Sequence, residues 1–123
     1  MKWDVMDVRD LKYADGQFDL IVDKSTIDAL LCGDQAYLNV SIMLRECQRV
    51  LKEGGYYVAI SYGQPENRIL HFKRAFLHVN LTTYQLQKIS NGTAPKSYHY
   101  VYILKKLPNA DQICQKNWDK TFN

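Results

Sequence analysis

The stretch Phe18-Asp-Leu-Ile-Val-Asp-Lys-Ser-Thr-Ile-Asp-Ala-Leu-Leu-Cys-Gly33 decides the fold of this chain. Its first part, Phe18–Val22, predicts a buried β-strand, because four of the five residues are apolar. The polar run Asp23–Thr26 follows directly and therefore lies at the carboxyl end of that strand. Open α/β sheets bind their ligands at this end, so the run is a candidate binding segment.

A helix is predicted over Gln35–Lys52, which follows this stretch. Its apolar residues recur at intervals of three and four, as in a helix that lies on a core: Tyr37, Val40, Leu44, Cys47 and Leu51. Asp34 is a suitable N-cap, and the pair Gly54-Gly55 is expected to end the helix.

The remaining chain predicts four strands and one more helix. A second helix begins at Pro65, with Ile69, Phe72 and Phe76 on its apolar side. The strands are Lys2–Val5, Tyr56–Ser61, Leu81–Ser90 and Tyr98–Leu104, and the last two are joined by a turn at Asn91–Lys96. The segment Asn109–Asn123 lacks a strong pattern, which leaves a loose tail and a short helix as alternatives.

The order of these elements predicts an α/β protein. Helices between strands favour a parallel sheet, and two final strands joined by a short turn favour one antiparallel strand at its end. In the last strand, Tyr98, Tyr100, Tyr102 and Leu104 share one face of the sheet.

Composition limits the class of protein. The chain has 123 residues, 46% of them apolar and 24% charged, which fits one soluble domain. A net charge of +3 does not favour nucleic acid, and no apolar run is long enough for a membrane span or a signal peptide. We therefore expect a cytoplasmic protein. Three cysteines without a CxxC spacing favour reduced thiols, and the histidine spacing does not favour a metal site.

Two motifs resemble the class I S-adenosylmethionine-dependent methyltransferases. The run from Phe18 to Gly33 resembles the signature FDxVxDKGTLDAL of a methyltransferase-like branch, although Ser25 stands where that branch usually has glycine. Arg45-Glu-Cys-Gln-Arg-Val-Leu-Lys-Glu-Gly-Gly55 is similar to the RVLKPGG helix end of the whole class. The last strand, Tyr98-His-Tyr-Val-Tyr-Ile-Leu-Lys105, is similar to one in a group that methylates lysines of elongation factor 1-alpha.

The resemblance also defines what this sequence lacks. Family members begin with a strand, a GxGxG turn, a helix and a second strand, and no glycine here forms such a turn. The resemblance therefore implies a Rossmann-like sheet without its first two strand–helix units. We expect residues 1–108 to form a partial methyltransferase domain, beginning at the family's third strand, and residues 109–123 to form a C-terminal tail. The half sheet contains Phe18–Val22, Tyr56–Ser61, Tyr98–Leu104 and Leu81–Ser90, in that order, and its edge at Phe18–Val22 invites pairing with another chain.

The resemblance assigns binding residues but no catalytic one. It implies that Asp7 contacts the adenine amino group of S-adenosylmethionine and that Val8 lies on the adenine ring, whereas a loop acid or helix cap is the structural alternative for Asp7. Asp23 and Lys24 are implied to border the methionine part of the cofactor, against the alternative of an ion pair that closes the strand. Tyr62 is a candidate for a pocket around the target lysine. Methyl transfer requires alignment and an unprotonated amine more than an acid–base pair.

Two functions remain open at this point. One is an S-adenosylmethionine-dependent protein-lysine methyltransferase, present as a C-terminal portion, with elongation factor 1-alpha as the candidate protein substrate. The other is a non-catalytic methyltransferase-like remnant that acts as a protein-interaction module. Either function allows for a complementing chain or a dimer partner.

Overall fold

The computed structural model describes residues 6–87 and 98–121. In chain order, the elements are strand β1 (Phe18–Lys24), helices α1 (Thr26–Leu31) and α2 (Ala36–Val50), strand β2 (Leu51–Ser61), helix α3 (Pro65–Phe72), strands β3 (Val79–Gln87) and β4 (Tyr98–Lys106), and helix α4 (Ala110–Thr121). The predicted strand Lys2–Val5 and the predicted turn Asn91–Lys96 lie outside the described residues.

The four described strands form one sheet in the order β1-β2-β4-β3. β1 is parallel to β2, and β4 is antiparallel to both β2 and β3. The order of the predicted half sheet and the antiparallel last strand are therefore confirmed. This arrangement places the carboxyl ends of β1 and β2 side by side, with Lys24 paired to Ile60.

The core lies between one face of the sheet and the helices. Helix α2 contributes more of the described core than any other element, through residues such as Val40, Leu44 and Cys47, which are at most 6% exposed. The sheet contributes residues such as Tyr57 and Tyr102 from the facing side. The predicted stripe of α2 is confirmed except at Tyr37, which is 62% exposed because it lies in the first turn, beyond the edge of this core.

The predicted ends of helix α2 are wrong. Gln35, not Asp34, occupies the N-cap position, and it has a left-handed backbone and no capping side-chain bond. The helix ends at Val50 rather than at the glycine pair, because Leu51 is already extended and pairs with Phe18 in the sheet. Gly54, with φ of 83°, lies in an irregular part of β2 between the partners of Phe18 and Leu20.

Strand β1 differs from its prediction on one face. The sequence predicts a buried strand, yet Leu20 and Val22 are 56% and 60% exposed. These side chains point away from the helices, and no described element covers that side of the sheet. The apolar pattern of β1 fits a strand that is covered on both faces.

The C-terminal segment forms a helix rather than a loose tail. Ala110 is fully buried at the start of α4, and Trp118 packs edge-to-face on Phe76 with ring centroids 4.9 Å apart. The Arg45 guanidinium lies 4.1 Å from the centroid of the Trp118 ring. The helix is therefore packed onto the body of the protein.

Candidate functional site

The candidate site lies at the carboxyl ends of β1 and β2, where the sequence places it. Asp23, near the end of β1, is only 7% exposed. Its Oδ1 accepts a hydrogen bond from the Thr26 amide at 2.7 Å, and its Oδ2 accepts one from the Ile27 amide at 3.3 Å. The Tyr57 hydroxyl donates a third bond to Oδ2 at 2.5 Å. Asp23 thus holds the first turn of α1 onto β2.

Ser25 explains why the related signature has glycine at this position. Its φ is 67°, in the left-handed region where a side chain costs about 1 kcal/mol. A hydrogen bond from the Ser25 amide to the Ile60 carbonyl, at 2.9 Å, stabilises this left-handed conformation. The sharp turn between β1 and α1 therefore forms here with serine in place of glycine.

A second cluster joins α1, β2 and α3 around the Asp28 carboxylate. Ser61 donates a short hydrogen bond to Oδ1, and Arg68 donates two, from Nε at 3.1 Å and from Nη2 at 2.9 Å. The Tyr62 amide donates to Oδ2 at 3.0 Å. Nothing local in the sequence reveals that the partner of Asp28 is Arg68, 40 residues away.

The loop after β2 is fixed by this cluster and by strand β4. The Gly63 amide donates to Ser61 Oγ at 2.9 Å, and the Tyr102 hydroxyl donates to the Gly63 carbonyl at 2.6 Å. A Cβ on Gly63 would lie 2.1 Å from the Arg68 guanidinium carbon, so a larger residue would displace this arginine. The network therefore sets the position from which Tyr62 extends.

Two of the predicted site residues are exposed beside this network. Lys24 ends β1 with an exposed side chain, and Tyr62 is 61% exposed. The Tyr62 ring stands edge-on to His99, with centroids 4.4 Å apart. The Tyr62–His99 pair thus forms an aromatic wall at the carboxyl ends of the strands, the end of the sheet at which Lys24 also lies.

Asp7 and Val8 lie in the loop that precedes β1, and the neighbouring Arg9 donates a hydrogen bond to Asn39, in the first turn of α2, at 3.1 Å. Asp7 is exposed, and three groups of Arg9 bond its carboxylate: the backbone amide, Nε and Nη2, the last at 2.7 Å. These bonds, more than any other contact, lower the pKa of Asp7 to about 2. Val8 packs against the core and lines an apolar groove beside β1 with Leu20 and Ile21.

Arg49 anchors the loop that carries Asp7 and Val8, a role that the sequence does not reveal. Its Nη2 donates to the Leu11 carbonyl and to Glu46 Oε2, both at 2.8 Å, and its Nη1 donates to the Tyr13 carbonyl at 2.8 Å and to Asp15 at 2.7 Å. The loop is thus held on α2 by its backbone carbonyls.

The residues fit S-adenosylmethionine only in part. Lys24 and Tyr62 are exposed at the rim and are free to meet a ligand, and Asp7 keeps an exposed carboxylate. Asp23, in contrast, is buried, and both of its oxygens already accept bonds from α1 and Tyr57. Asp23 would therefore act on the cofactor indirectly, by positioning the first turn of α1.

Among the described residues, no group of histidine, cysteine, aspartate or glutamate is arranged to bind a metal. Over the same ranges, no helix has the length and apolarity to cross a membrane.

The stability supplied by Asp28 should depend on pH. Burial alone would raise the pKa of this carboxyl, but the bonds from Ser61, the Tyr62 amide and Arg68 lower it below the usual value. As the pH falls, the Asp28 carboxyl is protonated in the unfolded chain before it is protonated in the folded chain. The stabilisation that Asp28 supplies is therefore complete above about pH 4 and is lost as the pH falls through the lower pKa of the folded state. Denaturant unfolding should show a constant advantage of the wild type over Asp28→Asn from about pH 7 to about pH 5, and a shrinking advantage below about pH 4. An advantage that stays constant to about pH 3 would contradict this assignment.

The known proteins to which this chain is similar are methyltransferases. The family described as "Methyltransferase domain" matches residues 1–59. The fold is similar to that of a SAM-dependent methyltransferase from Methanosarcina mazei, with a TM-score of 0.56 and 20% identity over 85% of this chain and 66% of that one. A protein described as a DNA modification methylase from Thermus thermophilus gives a TM-score of 0.58 and 12% identity, over 82% of this chain and 50% of that one. At these identities, the likeness shows the fold alone. The resemblance to the class I methyltransferases is confirmed.

Within this class, the chain is similar to methyltransferases of elongation factor 1A. It is 34% identical over 83 residues to mouse EEF1A lysine methyltransferase 4, a match that covers 61% of this chain and 32% of the relative. It is 36% identical over 74 residues to the mouse eEF1A lysine and N-terminal methyltransferase, which covers 56% of this chain and 11% of that protein. The chain spans about a third or less of the length of these curated relatives.

Proposed function

We propose that this chain carries the C-terminal half of the catalytic domain of an S-adenosylmethionine-dependent protein-lysine methyltransferase. The observation that carries the proposal is the 34% identity to mouse EEF1A lysine methyltransferase 4. The rim formed by Lys24, Tyr62 and His99 supports it, because these side chains are placed where an open α/β sheet binds ligands. The proposed substrate is a lysine of elongation factor 1A.

The chemistry of the rim suits this reaction. When bound, S-adenosylmethionine supplies an activated methyl group on a sulfonium. The exposed Lys24 ammonium would pair with the carboxylate of the cofactor's methionine part. Tyr62 and His99 would give the side chain of the substrate lysine an aromatic wall. Exclusion of water from this wall in the complete site would favour the unprotonated amine that attacks the methyl group. Asp7 and Val8 would hold the adenine from the loop that precedes β1. Asp23 and Asp28 would position the turn and the loop that present these groups.

Methyl transfer from labelled S-adenosylmethionine to elongation factor 1A tests the proposal. The full chain is assayed together with an amino-terminal segment of mouse EEF1A lysine methyltransferase 4 that precedes the matched region. We expect labelled elongation factor only when both pieces are present. The label should fall at least about tenfold in Tyr62→Ala, while Tyr56→Ala, which changes an exposed tyrosine in the middle of β2, serves as the control.

The alternative, a non-catalytic interaction module, has one observation in its favour, namely the exposed apolar residues on β1. The same assay separates the two functions. If the two pieces form a complex that binds the cofactor but labels no protein, the proposed lysine methyltransferase is wrong and the interaction module is supported.

A further inference from the structure

A cavity of about 390 Å³ lies between helix α3 and the segment that joins α1 to α2. Its lining includes Leu31 of α1, Ala36 and Tyr37 of α2, and Asn67, Leu70 and His71 of α3. Helix α2 leads directly into the amino end of β2, so its first turn lies near the carboxyl end of that strand. The cavity is therefore at the end of the sheet where open α/β proteins bind ligands.

Arg68 connects this cavity to the rim that carries Tyr62. Its Nε and Nη2 donate to Asp28, Nε also donates to Ser61 at 3.2 Å, and the same side chain lines the cavity. His71 follows Arg68 by three residues, so the two lie on the same side of α3, about one turn or 5.4 Å apart. A polypeptide bound at the rim can therefore reach the cavity with residues close to the one that contacts Tyr62.

His71 is a buried polar residue without a hydrogen-bond partner. It is 3% exposed, and its ring contacts that of Tyr37 with centroids 5.2 Å apart. Within residues 6–87 and 98–121, no group hydrogen-bonds its imidazole, and no fully buried polar side-chain atom is left unpaired. Its ring nitrogens therefore reach open space, and the cavity is the space that His71 lines. A buried polar group of this kind is a position for a ligand to fill.

The charges around the cavity favour an anion. Burial, and after it the charges of Arg68 and Arg74, lower the pKa of His71, so its imidazole is neutral at pH 7 and keeps one N–H donor. The first turn of α2 has no acidic residue and no side-chain cap, and a helix end of this kind favours negative charge. No acidic side chain of the described residues lines the cavity, since Asp34 and Glu66 are exposed outside it.

We propose that this cavity binds a carboxylate side chain of the protein substrate, close in sequence to the methylated lysine. The proposal rests on the proposed function as a protein-lysine methyltransferase. Leu31 and Leu70 give the aliphatic part of a glutamate an apolar surface. The donors for its carboxylate are the His71 N–H, the Asn67 amide and the Tyr37 hydroxyl, which line the same cavity. An extended chain advances about 3.3 Å per residue, so we expect this glutamate within about four residues of the lysine.

The rest of a methyltransferase domain is the competing occupant. In the described sheet, the edge of β1 is free and the side opposite the helices is uncovered, and further strands and helices would cover these surfaces. The cavity lies instead on the helix side, between helices that precede and follow β2. A cavity that the rest of the domain fills would show no preference for acidic peptides.

Fluorescence anisotropy of labelled peptides tests the proposal. The full chain is mixed with the amino-terminal segment of mouse EEF1A lysine methyltransferase 4 that precedes the matched region. Each peptide has a single lysine and a single glutamate, placed up to about four residues before or after the lysine, and its control has glutamine in place of the glutamate. At one spacing, we expect the glutamate peptide to bind at least about tenfold more tightly than its control.

Variants of the cavity identify the groups that bind the glutamate. His71→Phe should abolish the preference, because it keeps a ring beside Tyr37 but removes the N–H donor. Asn67→Ala changes an exposed side chain and should reduce the preference, even if His71→Phe does not fold. His78→Phe is the matched control, since His78 directly precedes β3 at the opposite end of the sheet and should leave the preference unchanged.

Equal binding of the glutamate and glutamine peptides at every spacing would overturn the proposal, and so would a preference that survives both cavity variants. Methyl transfer to the same peptides is measured separately. If the lysine is methylated but the glutamate has no effect, the proposed function stands and the cavity proposal is wrong. If the glutamate preference depends on His71 but no lysine is methylated, the cavity proposal is supported and the proposed function is wrong.

Discussion

Asp23→Ala should destabilise the folded chain by about 3 kcal/mol or more. The carboxylate is 7% exposed and accepts three hydrogen bonds, from the Thr26 and Ile27 amides and from the Tyr57 hydroxyl. Alanine leaves these donors without a partner, and each buried donor then costs about 1–3 kcal/mol. Burial is the main reason that the pKa of Tyr57 is raised well above its usual value, so this phenol stays protonated and needs an acceptor.

Urea unfolding of the variant at neutral pH measures this effect. Asp19→Ala is the matched control, because Asp19 lies in the same strand with a side chain 83% exposed and a single long ion pair to Lys52 at 3.6 Å. The control should change the free energy of unfolding by less than about 0.5 kcal/mol. An equal loss in the two variants would show that Asp23 does not hold α1 onto β2.

Leu44→Asp should have an effect of similar or greater size, about 4 kcal/mol or more. Leu44 is 2% exposed in the middle of the α2 stripe, so aspartate would place an unpaired charge in the core and remove apolar contacts. Tyr37→Asp on the same helix is the control, since Tyr37 is 62% exposed. We expect thermal unfolding of Leu44→Asp far below that of the wild type and of the control. Unchanged unfolding would show that the register of α2 is wrong.

The regular elements could be predicted from the sequence because their signals are local. The alternation in Tyr98–Leu104 and the three-and-four spacing around Leu44 depend only on neighbouring residues, and both predictions are confirmed. The sheet order required the family resemblance, since periodicity does not specify which strands pair.

The errors arise where distant parts of the chain decide the local structure. Helix α2 ends at Val50 because Leu51 pairs with Phe18, a contact that the glycine signal at residues 54 and 55 does not reveal. Helix α1 is only six residues long, and Asp23 accepts hydrogen bonds from its first two amides while Tyr57, from another strand, donates to the same carboxylate. A capping partner of this kind is not visible in the sequence.

The candidate site could be located but not assembled from the sequence. The end of β1 is marked by its polar run, and the structure confirms that this run lies beside the end of β2. The bonds that set the rim, from Arg68 to Asp28 and from Tyr102 to Gly63, join residues about 40 positions apart. The roles of Asp7, Val8, Asp23, Lys24 and Tyr62 toward a ligand stay predictions.

We expect this chain to provide only part of a methyltransferase cofactor site. Asp7, Val8 and Lys24 would supply a few contacts, whereas the sequence has no GxGxG turn to hold the rest of the cofactor. Each missing hydrogen bond costs about 1–3 kcal/mol, so three losses weaken binding by roughly 100-fold or more.

Calorimetric titration of the purified chain with S-adenosylmethionine measures how much of the cofactor site the chain provides. We expect millimolar affinity or none for the chain alone, and a gain of roughly 100-fold or more when the amino-terminal segment of the relative is added. Lys24→Ala should reduce the restored affinity, while Lys52→Ala, an exposed lysine at the other end of the sheet, should not. Micromolar binding to the chain alone as a monomer would contradict the account.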